Sequence, residues 1–220
     1  MPDNSGHAPR RPLATRSAGW AISLARFLAR AGVRPNAVSL ASVGFAITAS
    51  AAFYAAPAAS RAIRPALFLA AAASIQLRLL CNLLDGMLAV EEGLRSPLGD
   101  LFNELPDRAA DVVILVAAGY ATTWDSYGPP LGWTAAVLAV TTAYIRVLGG
   151  SLGGTQHFVG PMAKPHRMFV MTVAALAGAA EMVAGLPPRA VGIALIVIIA
   201  GAAATVVLRI QRIAAELRVR

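Results

Sequence analysis

Residues 82–111, NLLDGMLAVEEGLRSPLGDLFNELPDRAAD, gather seven of the chain's eleven acidic side chains. Their spacing is helical. Arg78, Asn82, Asp85 and Ala89 fall at i, i+4, i+7 and i+11, one stripe of a helix. Asn103, Asp107 and Asp111 fall at i, i+4 and i+8, one stripe of the next. Two neighbouring helices marked in this way can aim oxygen ligands at a common point. Oxygen-rich clusters of that kind suit hard divalent cations, Mg²⁺ or Mn²⁺, which bind through carboxylates together with substrate phosphates. Gly86, Ala89 and Gly99 lie between the charged positions and are small enough to let a backbone or a bulky ligand approach. Glu91, Glu92 and Asp100 read instead as solvated residues of a connector.

Such stripes need a surrounding that makes them expensive, and the composition supplies one. The chain is 57% hydrophobic and 14% charged, with a mean hydropathy of +0.64. A soluble domain carries about 25% charged residues, so the chain reads as a membrane protein. Ionised groups at helix-centre depth cost about 2.5–3.5 kcal/mol each on insertion scales and therefore face a bundle interior or a polar cavity. The formal charge of +8 sits mostly as Arg in short segments between apolar runs. That placement is membrane topology and excludes a nucleic-acid groove. Cys81 is the only cysteine, so no intrachain disulfide forms.

The expected architecture is all-α and integral to the membrane: six transmembrane helices in one bundle, preceded by an amphipathic juxtamembrane helix. Residues 1–15 read as a disordered tail, 16–34 as a basic interfacial helix, and 35–220 as the six-span domain. The spans are expected near 36–57, 63–90, 99 or 106 to 123, 131–150, 167–185 and 189–209, with Asn36 or Ser39 capping the first. The open choice in the third is whether Pro106 interrupts a longer helix or starts a shorter one. Arginines crowd the segments before the first span and at the end of the last, and Arg95, Arg108, Lys164 and Arg167 lie on the same side. The opposite loops hold only Arg61, Arg64 and Arg189, so both termini and the acidic segment are expected in the cytoplasm.

Asn82-x2-Asp85-Gly86-x2-Ala89-Val90-x8-Gly99-x3-Asn103-x3-Asp107 resembles the signature of the CDP-alcohol phosphotransferases, D-x2-D-G-x2-A-R-x8-G-x3-D-x3-D. Every gap in the pattern is reproduced, and Arg34-Pro35-Asn36 before the first span is also similar to that family. The resemblance implies a phospholipid-synthesis enzyme of a plasma membrane, with a bacterial inner membrane as the expected location. Such an enzyme moves a substituted phosphate from a CDP-linked alcohol, with CDP-diacylglycerol as the expected donor, onto a hydroxyl acceptor and releases CMP. It implies one or two Mg²⁺ or Mn²⁺ ions, with Asp85 as a ligand and Asp107 as ligand and general base. Gly86, Ala89 and Gly99 would line the CDP pocket, and a homodimer is in keeping with the family.

The departures are Asn82 and Asn103, which stand where the family has Asp, and Val90, which stands where it has Arg. An asparagine offers a metal an oxygen without charge. Glu104 and Asp111 can compensate, Asp111 lying one turn beyond Asp107 on its stripe. The acceptor side is read from Arg146 inside the fourth span and from the cytoplasmic segment Gly160–Arg167. There Lys164, the chain's only lysine, with His166 and Arg167, can hold an anionic head group or phosphate. The Gly149-Gly150 and Gly153-Gly154 pairs favour an irregular loop before it. Two other classes fit the same features: a catalytically silent membrane scaffold, because of the asparagines, and a small transporter, because intramembrane charges also mark ion pathways.

Overall fold

The computed structural model describes residues 18–90, 99–124 and 126–218, and of Val90, Gly99, Asp100, Phe102 and Asn103 the backbone only. The expectations for residues 1–15 and for Glu91, Glu92 and Arg95 fall outside the described residues. The described elements are α1 (Gly19–Arg30), α2 (Pro35–Ala55), α3 (Arg64–Val90), α4 (Gly99–Tyr120), α5 (Gly128–Ser151), α6 (Lys164–Val183) and α7 (Ala190–Arg218). A short 3₁₀ turn at Ala56–Ala58 extends α2.

Prolines mark the starts. Pro35, Pro129 and Pro165 lie in the first turns of α2, α5 and α6, where a missing N–H removes nothing from the helix ladder. Neither Asn36 nor Ser39 caps α2, because Arg34 holds the cap position with extended backbone and no side-chain bond. Ser39 points into the bundle instead. Pro106 does not start a helix: α4 begins at Gly99 and runs through it. α5 likewise continues past Gly149 and Gly150 to Ser151, and the bare Gly149 backbone lies close against the Ile213 side chain of α7.

The helices α2, α3, α6, α7, α5 and α4 form a closed ring in that order, each packed on the next. The core they enclose is rich in alanine, including Ala46, Ala49, Ala71, Ala135, Ala139 and Ala202, with Phe53, Phe68, Ile75, Ile114, Met168 and Leu195 filling the wider gaps. Small residues let membrane helices approach closely, so that dispersion contacts accumulate. The crossing of α4 on α5 is the tightest case. A Cβ on Gly132 would lie 2.8 Å from the Leu115 carbonyl oxygen and 3.0 Å from Gly119 Cα.

The outward faces are also apolar. Leu40, Ile47, Leu69, Val137, Phe169, Val173, Ile193 and Val207 are all exposed. Helices apolar on both faces belong in lipid. Five helices are long and apolar enough to cross a membrane: Pro35–Ala58, Arg64–Ala89, Gly128–Ser151, Lys164–Val183 and Ala190–Arg218. At 22 residues α4 is long enough, but Asp100, Glu104, Asp107, Arg108 and Asp111 deny it the apolar window. The count on composition is therefore five among the described residues, against the six expected.

α1 lies outside the ring. Its Ala21 and Ala25 are buried against Val38 of α2 and Leu83, Leu84, Met87 and Leu88 of α3. Trp20 and Phe27 stay exposed beside Arg26 and Arg30. The helix therefore braces the segment of α3 that carries Asp85.

Gly132→Val should push α4 and α5 apart and destabilise the bundle by about 1–3 kcal/mol. Gly44→Ala, whose added carbon meets nothing within 4 Å, should be near neutral. Thermal unfolding of both proteins in the same detergent checks the contrast.

Candidate active site

The predicted stripes of α3 and α4 do meet, and they meet through charge. Arg78, fully buried on α3, donates from Nη2 to Asp111 Oδ1 at 3.0 Å and lies 3.4 Å from Asp107 Oδ1. The same nitrogen donates to the Asp107 carbonyl at 3.2 Å. From α6, Arg167 Nη2 donates to Asp111 Oδ2 at 2.7 Å, while its Nη1 reaches Thr142 Oγ1 and the Met162 carbonyl. Asp111 and Arg167 are each 1% exposed. Asp111 thus has both carboxylate oxygens committed to guanidinium groups, one reaching across the ring from α3 and one from α6. Arg167 faces this carboxylate and not the mouth of the bundle.

One turn nearer the helix start, the surroundings change. Asp107 Oδ1 accepts from Asn82 Nδ2 at 2.9 Å, and its Oδ2 pairs with the Lys164 ammonium at the start of α6. Asp85, 4% exposed, accepts at Oδ2 from the Ser39 hydroxyl at 2.6 Å, and its Oδ1 is buried with no partner. The Ser39 hydroxyl also lies 3.2 Å from the Pro35 carbonyl. Its single proton goes to the carboxylate, at the short distance usual for a charge-assisted bond. Gly86 and Ala89 follow Asp85 on α3, both half-buried. Gly99 and Asn103 stand in the opening turns of α4, and the Asn103 side chain lies outside the described residues.

The acceptor-side candidates divide. Arg146 Nη2 pairs with Glu104 Oε1 at 2.7 Å, and its guanidinium lies 5.3 Å from the centre of the Phe158 ring. The other Glu104 oxygen takes Arg108 at 3.0 Å. The anionic partner that Arg146 needs is therefore Glu104, which ties α5 to α4. His166 is exposed, and its Nδ1 lies 2.7 Å from the Pro161 carbonyl. A carbonyl only accepts, so Nδ1 carries the proton and Nε2 is left for the mouth.

The chain between α5 and α6 is held from α7. Arg209, 4% exposed, donates to the Val159 and Thr142 carbonyls, and Thr205 Oγ1 accepts from Met162 N–H at 3.0 Å. Gly160 has φ +117, open to glycine and strained for other residues, and a side chain there would strike Thr205. These contacts fix the backbone that delivers Lys164. Sequence reasoning placed Arg209 among the charges that set topology and did not find Thr142 or Thr205. The readable signal was only that Arg209 continues the apolar face of α7 through Ala202 and Thr205.

Three groups can hold a divalent ion: Asp85 Oδ1, the Asn82 carbonyl oxygen and Asp107. The Asn82 amide nitrogen must face Asp107, an acceptor, which leaves its oxygen free as a neutral ligand. Among the described residues no group of three or more His, Cys, Asp or Glu side chains encloses a metal. An ion here must draw on the asparagine and on oxygens of a bound phosphate ester. The set matches a hard cation that keeps part of its coordination for substrate.

No protein-family model and no curated protein matches the chain in sequence. Solved structures do match in fold. Phosphatidylinositol phosphate synthase of Mycobacterium tuberculosis with CDP-DAG bound is similar at a TM-score of 0.70 and 19% identity, covering 89% of this chain and 94% of that one. The same enzyme in complex with manganese and citrate gives 0.73 at 19% identity, covering 88% of each chain. Its apo form gives 0.65 at 20% identity, covering 86% of this chain and 93% of that one. At this identity the likeness is one of fold.

Asp111→Asn takes the counter-charge from buried Arg167 and leaves Arg78 only Asp107 at 3.4 Å, and breaking a buried pair of this kind costs about 3–5 kcal/mol. Asp85→Asn keeps an oxygen for the Ser39 hydroxyl and should cost far less. Unfolding midpoints of the two variants in detergent check the order; an Asp111→Asn protein as stable as wild type would contradict it.

Proposed function

We propose that this chain is a metal-dependent CDP-alcohol phosphotransferase of phospholipid synthesis. It transfers a substituted phosphate from a CDP-linked lipid, CDP-diacylglycerol being the expected donor, to a hydroxyl acceptor with release of CMP. One observation carries the reading: Asn82 of α3, one turn before Asp85, donates to Asp107 of α4, which also pairs with Lys164 at the basic start of α6. The signature spacing and the fold shared with a CDP-DAG-binding synthase support the same reading. In it α4 is a sixth span whose charged stripe faces inward, both termini and the site are cytoplasmic, and the donor's acyl chains remain in lipid.

Asp85 and Asn82 would hold Mg²⁺ or Mn²⁺, with Asn103 as a further neutral ligand and Asp107 beside them as the base. When bound, such an ion stabilises the negative charge that grows on the leaving CMP. The remaining work belongs to the chain. Gly86, Ala89 and Gly99 leave room for the cytidine nucleotide between α3 and α4. Asp107 takes the proton of the acceptor hydroxyl, and Asn82 and Arg78 hold its other oxygen still while it does so. His166 Nε2 and Arg146 line the acceptor side, Arg146 exchanging Glu104 for an anionic head group. Asp111 and Arg167 act as counter-ions that keep α3, α4 and α6 in register, which presents both substrates in one orientation.

A silent membrane scaffold is the second reading, favoured by the protein partners on both Asp107 oxygens. Purified protein incubated in detergent with CDP-diacylglycerol, Mg²⁺ or Mn²⁺ and a panel of polyols, sugar phosphates and amino alcohols should release CMP. Asp107→Asn should lower the rate by about 10²–10⁴. Absence of metal-dependent CMP with every acceptor would sink the enzyme reading and leave the scaffold.

A further inference from the structure

The lysine at the mouth has a partner that the signature does not foresee. Lys164 Nζ pairs with Asp107 Oδ2, on the edge of the carboxylate opposite Asn82 and Arg78. Its side chain is 19% exposed, and the backbone that carries it is pinned from α7 through Thr205 and Arg209. The ammonium is thus a fixed part of the site.

Counting charge shows what it does there. Asp85, Asp107 and Asp111 are balanced by Arg78, Lys164 and Arg167, so the described cluster is neutral before any ion enters. Asp111 is closed to metals by its two guanidinium groups. Asp85 Oδ1, buried and without a partner, is the one described carboxylate oxygen of the three that awaits a cation. A divalent ion there, with the Asn82 oxygen, leaves Lys164 in place. Another on Asp107 Oδ2 must displace the ammonium or sit against it, and repulsion between cations in a partly buried site is severe.

We propose that Lys164 is a built-in second cation of this site. Its ammonium takes the Asp107 oxygen that a further metal would need, so each chain binds a single Mg²⁺ or Mn²⁺ at Asp85 and Asn82. The two asparagines are then matched to the lysine, because a site with a resident monovalent cation and one ion needs fewer carboxylates than a site with two ions. Lys164 is a positioning residue toward the metal: it sets ion number. This inference rests on the metal-dependent reading above, and its test counts ions without using turnover.

Mn²⁺ binding to the purified full chain in detergent, followed by equilibrium dialysis and electron paramagnetic resonance, should saturate at one ion per chain with an uncoupled signal. Lys164→Met combined with Asn82→Asp should raise saturation to two ions, with the spin-coupled signature of a close pair. Lys164→Arg keeps the charge and should stay at one. Lys164→Met alone should bind the first ion roughly tenfold more tightly. Two ions in wild type, none in wild type, or one in a folded double variant overturns the proposal. A chain that binds one Mn²⁺ and releases no CMP upholds it while overturning the transferase reading.

Discussion

Everything at the functional end of the bundle depends on one buried carboxylate. Asp111 sits between Arg78 of α3 and Arg167 of α6, and the three side chains are essentially sealed from the surroundings. In a membrane, lipid chains are as apolar as the helix faces, so apolar burial says little about which helix should lie against which. A pair of guanidinium–carboxylate bonds across the ring does fix the register, since sliding any of the three helices strands a charge in a low-dielectric interior. The alanine-rich core then closes around a register already chosen.

The same stripe of α4 serves a second purpose one turn away. Asp107 shares Arg78 with Asp111, yet it lies toward the mouth and takes an amide and an ammonium as its other partners. Ligand exchange is easier for those groups than for a second guanidinium locked in the core. Asp85, across the gap on α3, accepts from a serine hydroxyl at one oxygen, and its Oδ1 has no side-chain partner. The carboxylates are therefore graded by their partners: Asp111 between two guanidinium groups is structural, Asp107 with an amide and an ammonium is adjustable, and Asp85 is open. Arg209 and Thr205 extend the same logic to α7 by fixing the loop that brings Lys164 to Asp107.

Periodicity made much of this legible. The i, i+4 spacing identified Asp85, Asn82, Asp107 and Asp111 as inward-facing, and they are. What periodicity cannot supply is the partner each inward residue meets, since that is decided by helices distant in sequence. Asp111 read as a reserve metal ligand because nothing local reveals that Arg167, fifty-six residues on, occupies its second oxygen. Arg146 and Arg167 look equally basic in sequence, yet one pairs at the rim with Glu104 and the other is fully enclosed. Arg209 was legible only as a topological charge, because its acceptors are backbone carbonyls and carry no sequence signal. Pro106 left the start of α4 open; the helix passes through it, with the proline inside the helix, where its missing N–H removes one rung of the ladder.

Locating the metal tests this grading of carboxylates most directly. Crystals of the protein grown with Mn²⁺ and a CDP-lipid donor should give an anomalous peak bounded by Asp85 and Asn82. Asp111 should remain paired with Arg78 and Arg167, with no peak beside it. A metal bound to Asp111, or Arg167 swung out of the core to the mouth, would contradict the account.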